Sequence, residues 1–258
     1  FEKAERIRAC KNRRHVTLVT AYDYPTGRLL DEAGVDIVLV GDSLGMVVLG
    51  FPDTTHVTLD HMLHHVEATA RGVKNALLVG DMPIHSYDTV EQAVQSAKKL
   101  FLAGADAVKL EGGAAQAGNI RAIVEAGIPV VGHIGLLPQK VLEEGGYKIK
   151  GKSSAEEEAL VRDVEAVAEA GACAVVVEGV TPHAARQVTV HSSIPTLGIG
   201  SGSHTCDGDV VVIHDLVGAF PWFIPAFVKP RADVAGSMTA AVKEWMEDCY
   251  TEPGSISS

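Results

Sequence analysis

Leu39-Val40-Gly41-Asp42-Ser43 (39–43) runs a short apolar segment into a glycine and an aspartate, and Leu78-Val79-Gly80-Asp81 (78–81) does so again. A third stretch, Val108-Lys109-Leu110-Glu111-Gly112-Gly113, ends in the same style on a glutamate. Apolar runs of this length, bounded by Gly and Pro, read as parallel strands buried on both faces. If the three are neighbours in one sheet, Asp42, Asp81 and Glu111 converge where strands spaced roughly 5 Å apart end. Like charges that close stay ionised together only around a cation. An all-carboxylate set suits a hard divalent ion, Mg²⁺ first, and suits zinc poorly.

The same cadence of apolar run, polar or glycine-rich end and helix-like stretch recurs eight times in 258 residues. The runs fall at 15–20, 35–40, 76–80, 105–110, 128–132, 172–177, 194–199 and 210–213. Amphipathic segments such as 90–103, 117–126, 155–170 and 182–191 lie between them, and a short basic helix is expected within 1–12. Glu-Ala-Gly precedes a strand at Glu32, Glu125 and Glu169, with a variant at 102–104. A glycine there takes the left-handed turn that ends a helix. Eight such units predict one α/β domain over 1–258, a (β/α)8 or TIM barrel with a polar tail from Glu252. A doubly wound open sheet is the rival, but no dinucleotide fingerprint follows the first strand.

The formal charge of −11 argues against nucleic acid or an anionic membrane as partner. No apolar run approaches the ~20 residues that span a bilayer. Cys10, Cys173, Cys206 and Cys249 are scattered without CxxC spacing, and no secretory signal precedes the first strand. The expectation is a cytoplasmic protein with reduced thiols, an organelle reached through a removed transit peptide being the alternative.

Barrel enzymes carry their chemistry at the carboxyl ends of the strands. Those ends supply Tyr22 and Asp23, Asp42 and Ser43, Asp81, Lys109 and Glu111, His133, Glu178, a Gly-Ile-Gly-Ser-Gly turn at 198–202, and His214 with Asp215. Lys109 and Glu111 are two apart and so share one strand face. A lysine beside metal-binding acids suits recognition of a substrate carboxylate. Lys109 could equally be a structural ion-pair partner, and His133 a satisfied buried histidine. Glu178 emerges from the apolar run Val175-Val176-Val177, a buried setting that suits a general base or acid. Two long connections, 45–58 and 136–153, read as walls or lids of the site. His61, His64 and His65 have helical spacing but no HExxH pattern, and read as a solvated face. Trp222 and Phe223 read as packing or subunit-joining residues.

In their order, TAYDYP (20–25), LVGDSLGMVV (39–48), LLVGDMP (77–83), VKLEGG (108–113), GHIGLLPQ (132–139), GGYK (145–148), VVVEGV (175–180), LGIGSG (197–202) and HD (214–215) resemble the ketopantoate hydroxymethyltransferase family of the phosphoenolpyruvate/pyruvate barrel superfamily. The resemblance implies a homo-oligomeric barrel, a decamer, acting in pantothenate biosynthesis. It implies transfer of a hydroxymethyl group from 5,10-methylenetetrahydrofolate to 3-methyl-2-oxobutanoate, giving 2-dehydropantoate through a Mg²⁺-stabilised enolate. It places Asp42, Asp81 and Glu111 at the metal, with Asp42 and Asp81 also at the substrate. Ser43 and Lys109 fall on the substrate carboxylate, Tyr22 and His133 along the pocket, and Glu178 at the proton acceptor. The chain departs from the family pattern at Leu137, Lys150, Lys152, Ser201 and Asp209, and by one extra residue within 203–208. These departures bear on the folate side and the lid, not on the acids. Another Mg²⁺-dependent enzyme making or breaking C–C or C–P bonds beside a 2-oxo acid, or a non-catalytic binding paralogue, is the alternative.

Overall fold

Every one of the eight apolar runs overlaps a strand: β1 (Val16–Thr20), β2 (Ile37–Val40), β3 (Leu77–Asp81), β4 (Ala107–Glu111), β5 (Val130–Gly135), β6 (Ala174–Glu178), β7 (Thr196–Ile199) and β8 (Gly208–Val211). The computed structural model describes residues 1–251. Neighbouring strands pair in parallel in chain order, and β8 returns to β1, so the sheet closes into a barrel without edges. Closure excludes the doubly wound alternative, whose sheet is open.

The helices between strands start where the sequence supplies caps. Asp23, Thr89, Ser153 and Thr181 each accept a backbone N–H from the first turn that follows. Thr58 and His61 form a reciprocal capping box, which gives that histidine a structural task. His65, on the same helix, lies 2.6 Å from the Tyr22 carbonyl oxygen through Nδ1, so of the three only His64 is exposed, its ring edge to face with that of His65. The glycines before strands behave as expected: Gly34, Gly104, Gly127 and Gly171 have φ of 83°, 111°, 84° and 98°, which a side chain would strain.

Inside the barrel the residues alternate. Leu77 and Val79, Ala107, Val131, and Ala174 with Val176 belong to one buried cluster with Leu18, Ile37, Leu39 and Leu197. Ala4 and Ile7 of the helix Glu2–Arg8, and Cys10 after it, join that cluster beside Val16, so the N-terminal segment covers the amino end of the barrel. The other end is left for the site.

Most strands begin about two residues later than the apolar runs do, and β3 to β6 run on through the first charged residue. A charged side chain ends an apolar run in sequence, yet the backbone ladder continues while a partner strand lies alongside. Strand eight is corrected from 210–213 to Gly208–Val211. Gly208 pairs with Val16 and Leu197 through backbone alone and so gives no apolar signal.

The chain parts into two compact units, 1–211, which holds the whole barrel, and a second that begins at Val212. The second unit includes the short helix Ile213–Leu216 and the helix Val234–Thr251. Within it the Phe220 and Trp222 rings meet edge to face, while Trp222 and Phe223 are exposed. The polar tail expected from Glu252 lies outside the described residues.

One carboxylate ties the amino end together. Asp207 Oδ2 accepts from Lys11 Nζ at 2.8 Å and from the Thr196 backbone N–H at 2.9 Å and hydroxyl at 3.0 Å. These donors, together with the lysine charge, outweigh burial and hold its carboxyl below the ordinary 3.8. Asp207→Ala removes the anion and leaves Lys11 half-enclosed without it, a loss of about 3 kcal/mol. Because the folded value is the lower one, this stabilisation is present above pH 3.8 and fades as the pH falls below it. Urea titrations should therefore show a large gap between wild type and variant at pH 7 that narrows at pH 3.

Candidate active site

The inward alternation of the barrel core continues straight into the ionisable residues. On β3 the series Leu77, Val79 ends on Asp81; on β4 Ala107 leads to Lys109 and Glu111; on β5 Val131 leads to His133; on β6 Ala174 and Val176 lead to Glu178. A period of two puts all five on the interior face at the carboxyl end. Register makes neighbours of them, since Asp81 is the cross-strand partner of Lys109 and Glu111 that of His133. Asp42 reaches the same cluster from just beyond β2, its backbone N–H donating to Asp81 Oδ2 at 3.2 Å.

The Lys109 ammonium lies 2.7 Å from Asp81 Oδ1, and both side chains are buried. His133, 2% exposed, sits between two acids, with Nδ1 3.5 Å from Glu111 Oε1 and Nε2 3.2 Å from Glu178 Oε2. Neither contact has hydrogen-bond alignment, so these are charge contacts. Glu178 keeps 24% of its side chain exposed, so the buried setting expected of it is only partial. It borders the open mouth of the site. Tyr22 is buried with its hydroxyl 2.9 Å from Ser43 Oγ, where Ser43 begins the short helix Leu44–Val47.

Charge governs this cluster. Burial, then repulsion from Asp81 and Glu111, pushes the Asp42 carboxyl well above 3.8, and burial raises Asp81 in spite of Lys109. Glu111 is lowered, because His133, Lys109 and the Gln139 N–H outweigh its burial. Burial and Lys109 depress His133, but Glu111 and Glu178 outweigh them and carry it up to about 9. With every acid ionised, four carboxylates face two cationic side chains, leaving the charge that one divalent ion neutralises.

As the side chains stand, no three acidic, His or Cys groups among the described residues are close enough together to hold an ion. The cation beside Asp81 is Lys109, and a Gln139 amide donates to Asp42. The donor set nevertheless fits a hard divalent ion. It is all oxygen and buried, and Glu111 Oε1 has no hydrogen bond.

Of the other strand-end residues, His214 and Asp215 lie in the helix Ile213–Leu216 of the second unit, where burial brings the Asp215 carboxyl up to about 6. Asp23 serves as a helix cap. The turn at 198–202 is tied to β6 by Ser201 Oγ, which donates to the Val177 carbonyl at 2.6 Å. The connection 136–153 also pairs with the segment just after β6: Lys150 N–H donates to the Gly179 carbonyl, and Thr181 N–H to that of Lys150. Gln139 and Tyr87, which the sequence reading left without a role, enter the cluster from loops. A buried glutamine has no sequence signature of its own, although its place at the end of GHIGLLPQ marked the stretch.

Gly135 shows how tightly Glu178 is held. It closes β5 at φ 96°, and a Cβ there would lie 2.3 Å from the Glu178 carbonyl oxygen. Gly135→Ala would combine positive-φ strain of about 1–3 kcal/mol with a backbone clash at the site. The expected result is a loss of turnover of at least tenfold with no ionisable group altered. Steady-state rates beside a circular-dichroism melt would check it.

Closed barrel, inward acids and a buried lysine define a (β/α)8-barrel enzyme with a charged small-molecule site at the carboxyl end of its strands. Solved barrels agree on the fold: a phosphoenolpyruvate phosphomutase from Streptomyces platensis subsp. rosaceus superposes with TM-score 0.66 at 18% identity, over 94% of this chain and 88% of that one. A phosphonopyruvate hydrolase solved with oxalate and Mg²⁺ gives 0.63 at 16% identity, over 96% and 99%. The chain belongs to the ketopantoate hydroxymethyltransferase family, whose model matches residues 2–253. It is 48% identical over 244 residues to the 3-methyl-2-oxobutanoate hydroxymethyltransferase of Oleidesulfovibrio alaskensis, covering 94% of this chain and 84% of that relative. It is 50% identical over 239 residues to that of Ignicoccus hospitalis, covering 92% and 90%.

Proposed function

We propose that the chain transfers a hydroxymethyl group from 5,10-methylenetetrahydrofolate to 3-methyl-2-oxobutanoate, forming 2-dehydropantoate for pantothenate biosynthesis. The observation that carries the reading is the inward row Asp81, Lys109, Glu111, His133 and Glu178 closed by Asp42, on a chain of this family. Asp42, Asp81 and Glu111 would hold Mg²⁺. When bound, the ion would supply Lewis acidity to the 2-oxo acid, making its C3 proton easier to remove.

The chain's own residues supply the rest. Lys109 and Ser43 take the substrate carboxylate, and Tyr22, bonded to Ser43, fixes that hydroxyl from behind. Glu178, at the mouth, accepts the C3 proton. His133 stands between Glu178 and Glu111 and separates two anions that would otherwise repel. The resulting enolate carbon forms the new C–C bond to the methylene carbon of the folate, whose two C–N bonds break; water supplies the hydroxyl oxygen and tetrahydrofolate leaves, so no oxidant or reductant is needed. A homo-oligomer, a decamer by family resemblance, and a cytoplasmic location belong to the same proposal.

The test is product analysis with 3-methyl-2-oxobutanoate and Mg²⁺, with and without the folate donor. Exchange of C3–H in D₂O without folate, and 2-dehydropantoate only with it, is the expected pattern. Cleavage products from a C–C or C–P substrate, or no exchange at all, would defeat the reading.

A further inference from the structure

Gln139 is a neutral side chain whose amide nitrogen and oxygen are both engaged in the barrel mouth. It is 3% exposed, in the 3-10 turn Pro138–Lys140 that follows β5. Its backbone N–H donates to Glu111 Oε2 at 3.0 Å. Its amide nitrogen donates to Asp42 Oδ2 at 2.8 Å and to the Met82 carbonyl at 3.0 Å. Its amide oxygen accepts from the Tyr87 hydroxyl. One residue on the loop after β5 therefore grips two of the three acids, Asp42 just beyond β2 and Glu111 at the end of β4.

The amide can face only one way. Asp42 Oδ2 and the Met82 carbonyl are acceptors, so the nitrogen must point at them, and Tyr87 donates to the remaining oxygen. Tyr87 is itself buried, and its backbone carbonyl accepts from Asn119 Nδ2 at 2.8 Å. Asn119 in turn donates to Gln116 Oε1 at 2.7 Å. The chain from helix Ala117–Glu125 through Tyr87 to Gln139 thus sets the orientation of the group that touches Asp42.

We propose that Gln139, oriented by Tyr87, is the positioning residue that presents Asp42 and Glu111 to the divalent ion. A carboxylate oxygen has two lone pairs, so an amide on Asp42 Oδ2 leaves that oxygen and Oδ1 able to ligate. Fixing a ligand from outside the coordination sphere lowers the ordering cost of metal binding, and loss of such partners commonly weakens affinity or activity ~10–100-fold. Since Gln139 sits on the connection 136–153, the same contacts make the seating of that loop and the readiness of the metal site one event.

The inference rests on the Mg²⁺-dependent reading above, and wild type tests that reading separately. Calorimetry of the full chain with Mg²⁺ alone, and with Mn²⁺ as a second probe, would compare wild type with Gln139→Met, Gln139→Ala and Tyr87→Phe. Gln139→Met fills the space without donating, and both Gln139 variants keep the backbone N–H to Glu111. The expected result is metal affinity weakened ~10–100-fold in both, a smaller loss in Tyr87→Phe, and metal-free Tm within a few degrees of wild type. C3–H exchange at saturating Mg²⁺ should recover much of the wild-type rate. Unchanged metal affinity in Gln139→Met, whether or not Tm falls, overturns the proposal and leaves the glutamine a packing residue. If wild type itself neither binds Mg²⁺ nor exchanges, the functional reading falls first and takes this inference with it.

Discussion

Glu178→Gln should lower both C3–H exchange and hydroxymethyl transfer by ~10²–10⁴-fold, the usual consequence of losing a general base. The geometry says why the effect should be chemical and not structural. Glu178 ends β6 on the inward face, with part of its side chain at the mouth, and its charge contact is to His133 Nε2 at 3.2 Å. Glutamine keeps the size, and His133 retains Glu111 as a second anionic neighbour. The acids proposed to hold the metal come from the ends of β2 to β4, two and more strands away from β6, so the proposed base would reach C3 without joining them. Substrate and Mg²⁺ binding, followed by calorimetry, should stay near wild type. Exchange continuing at the wild-type rate in the variant would move the role of base to His133.

Lys109→Met should be the most damaging single substitution to the metal-free protein. Lys109 and Asp81 are both buried and 2.7 Å apart, with Asp42 and Glu111 close by. Removing one partner of such a pair leaves an uncompensated buried charge, a loss of about 3–5 kcal/mol. The acids respond by taking up protons, so the site loses part of its negative character as well. A divalent ion supplies the missing positive charge, and Mg²⁺ should restore part of the melting temperature in the variant. If Lys109 also holds the substrate carboxylate, binding of 3-methyl-2-oxobutanoate should suffer far more than binding of folate. Equal damage to both ligands would make the lysine a structural ion-pair partner alone.

The sequence was unusually open about architecture, and the reason is the parallel barrel itself. Strands buried on both faces are continuous apolar runs, and helices between them need caps and glycine stops, so the cadence can be counted. The same property hides the facing of each strand. In Ala174-Val175-Val176-Val177-Glu178 nothing in composition separates the inward from the outward residues. Only closure, with Ala174 and Val176 in the core cluster, puts Glu178 on the inside. Strand eight shows the other limit, since its glycine start carries no apolar signal and the run was read two residues late.

By itself, then, the chain determined the count of strands, the ends at which ionisable residues collect, and through its quoted stretches the family. Pairwise placement needed the tertiary structure. Lys109 belongs with Asp81 because of cross-strand register, not sequence spacing. His133 stands between Glu111 and Glu178 because β5 lies between β4 and β6. His214 and Asp215, consecutive with a strand end in sequence, fold into a helix of the second unit. Gln139 and Tyr87 meet from loops separated by 52 residues, and no local pattern encodes a hydrogen bond between them. Period and propensity are properties of neighbours along a chain, whereas a charged site is made by neighbours in space.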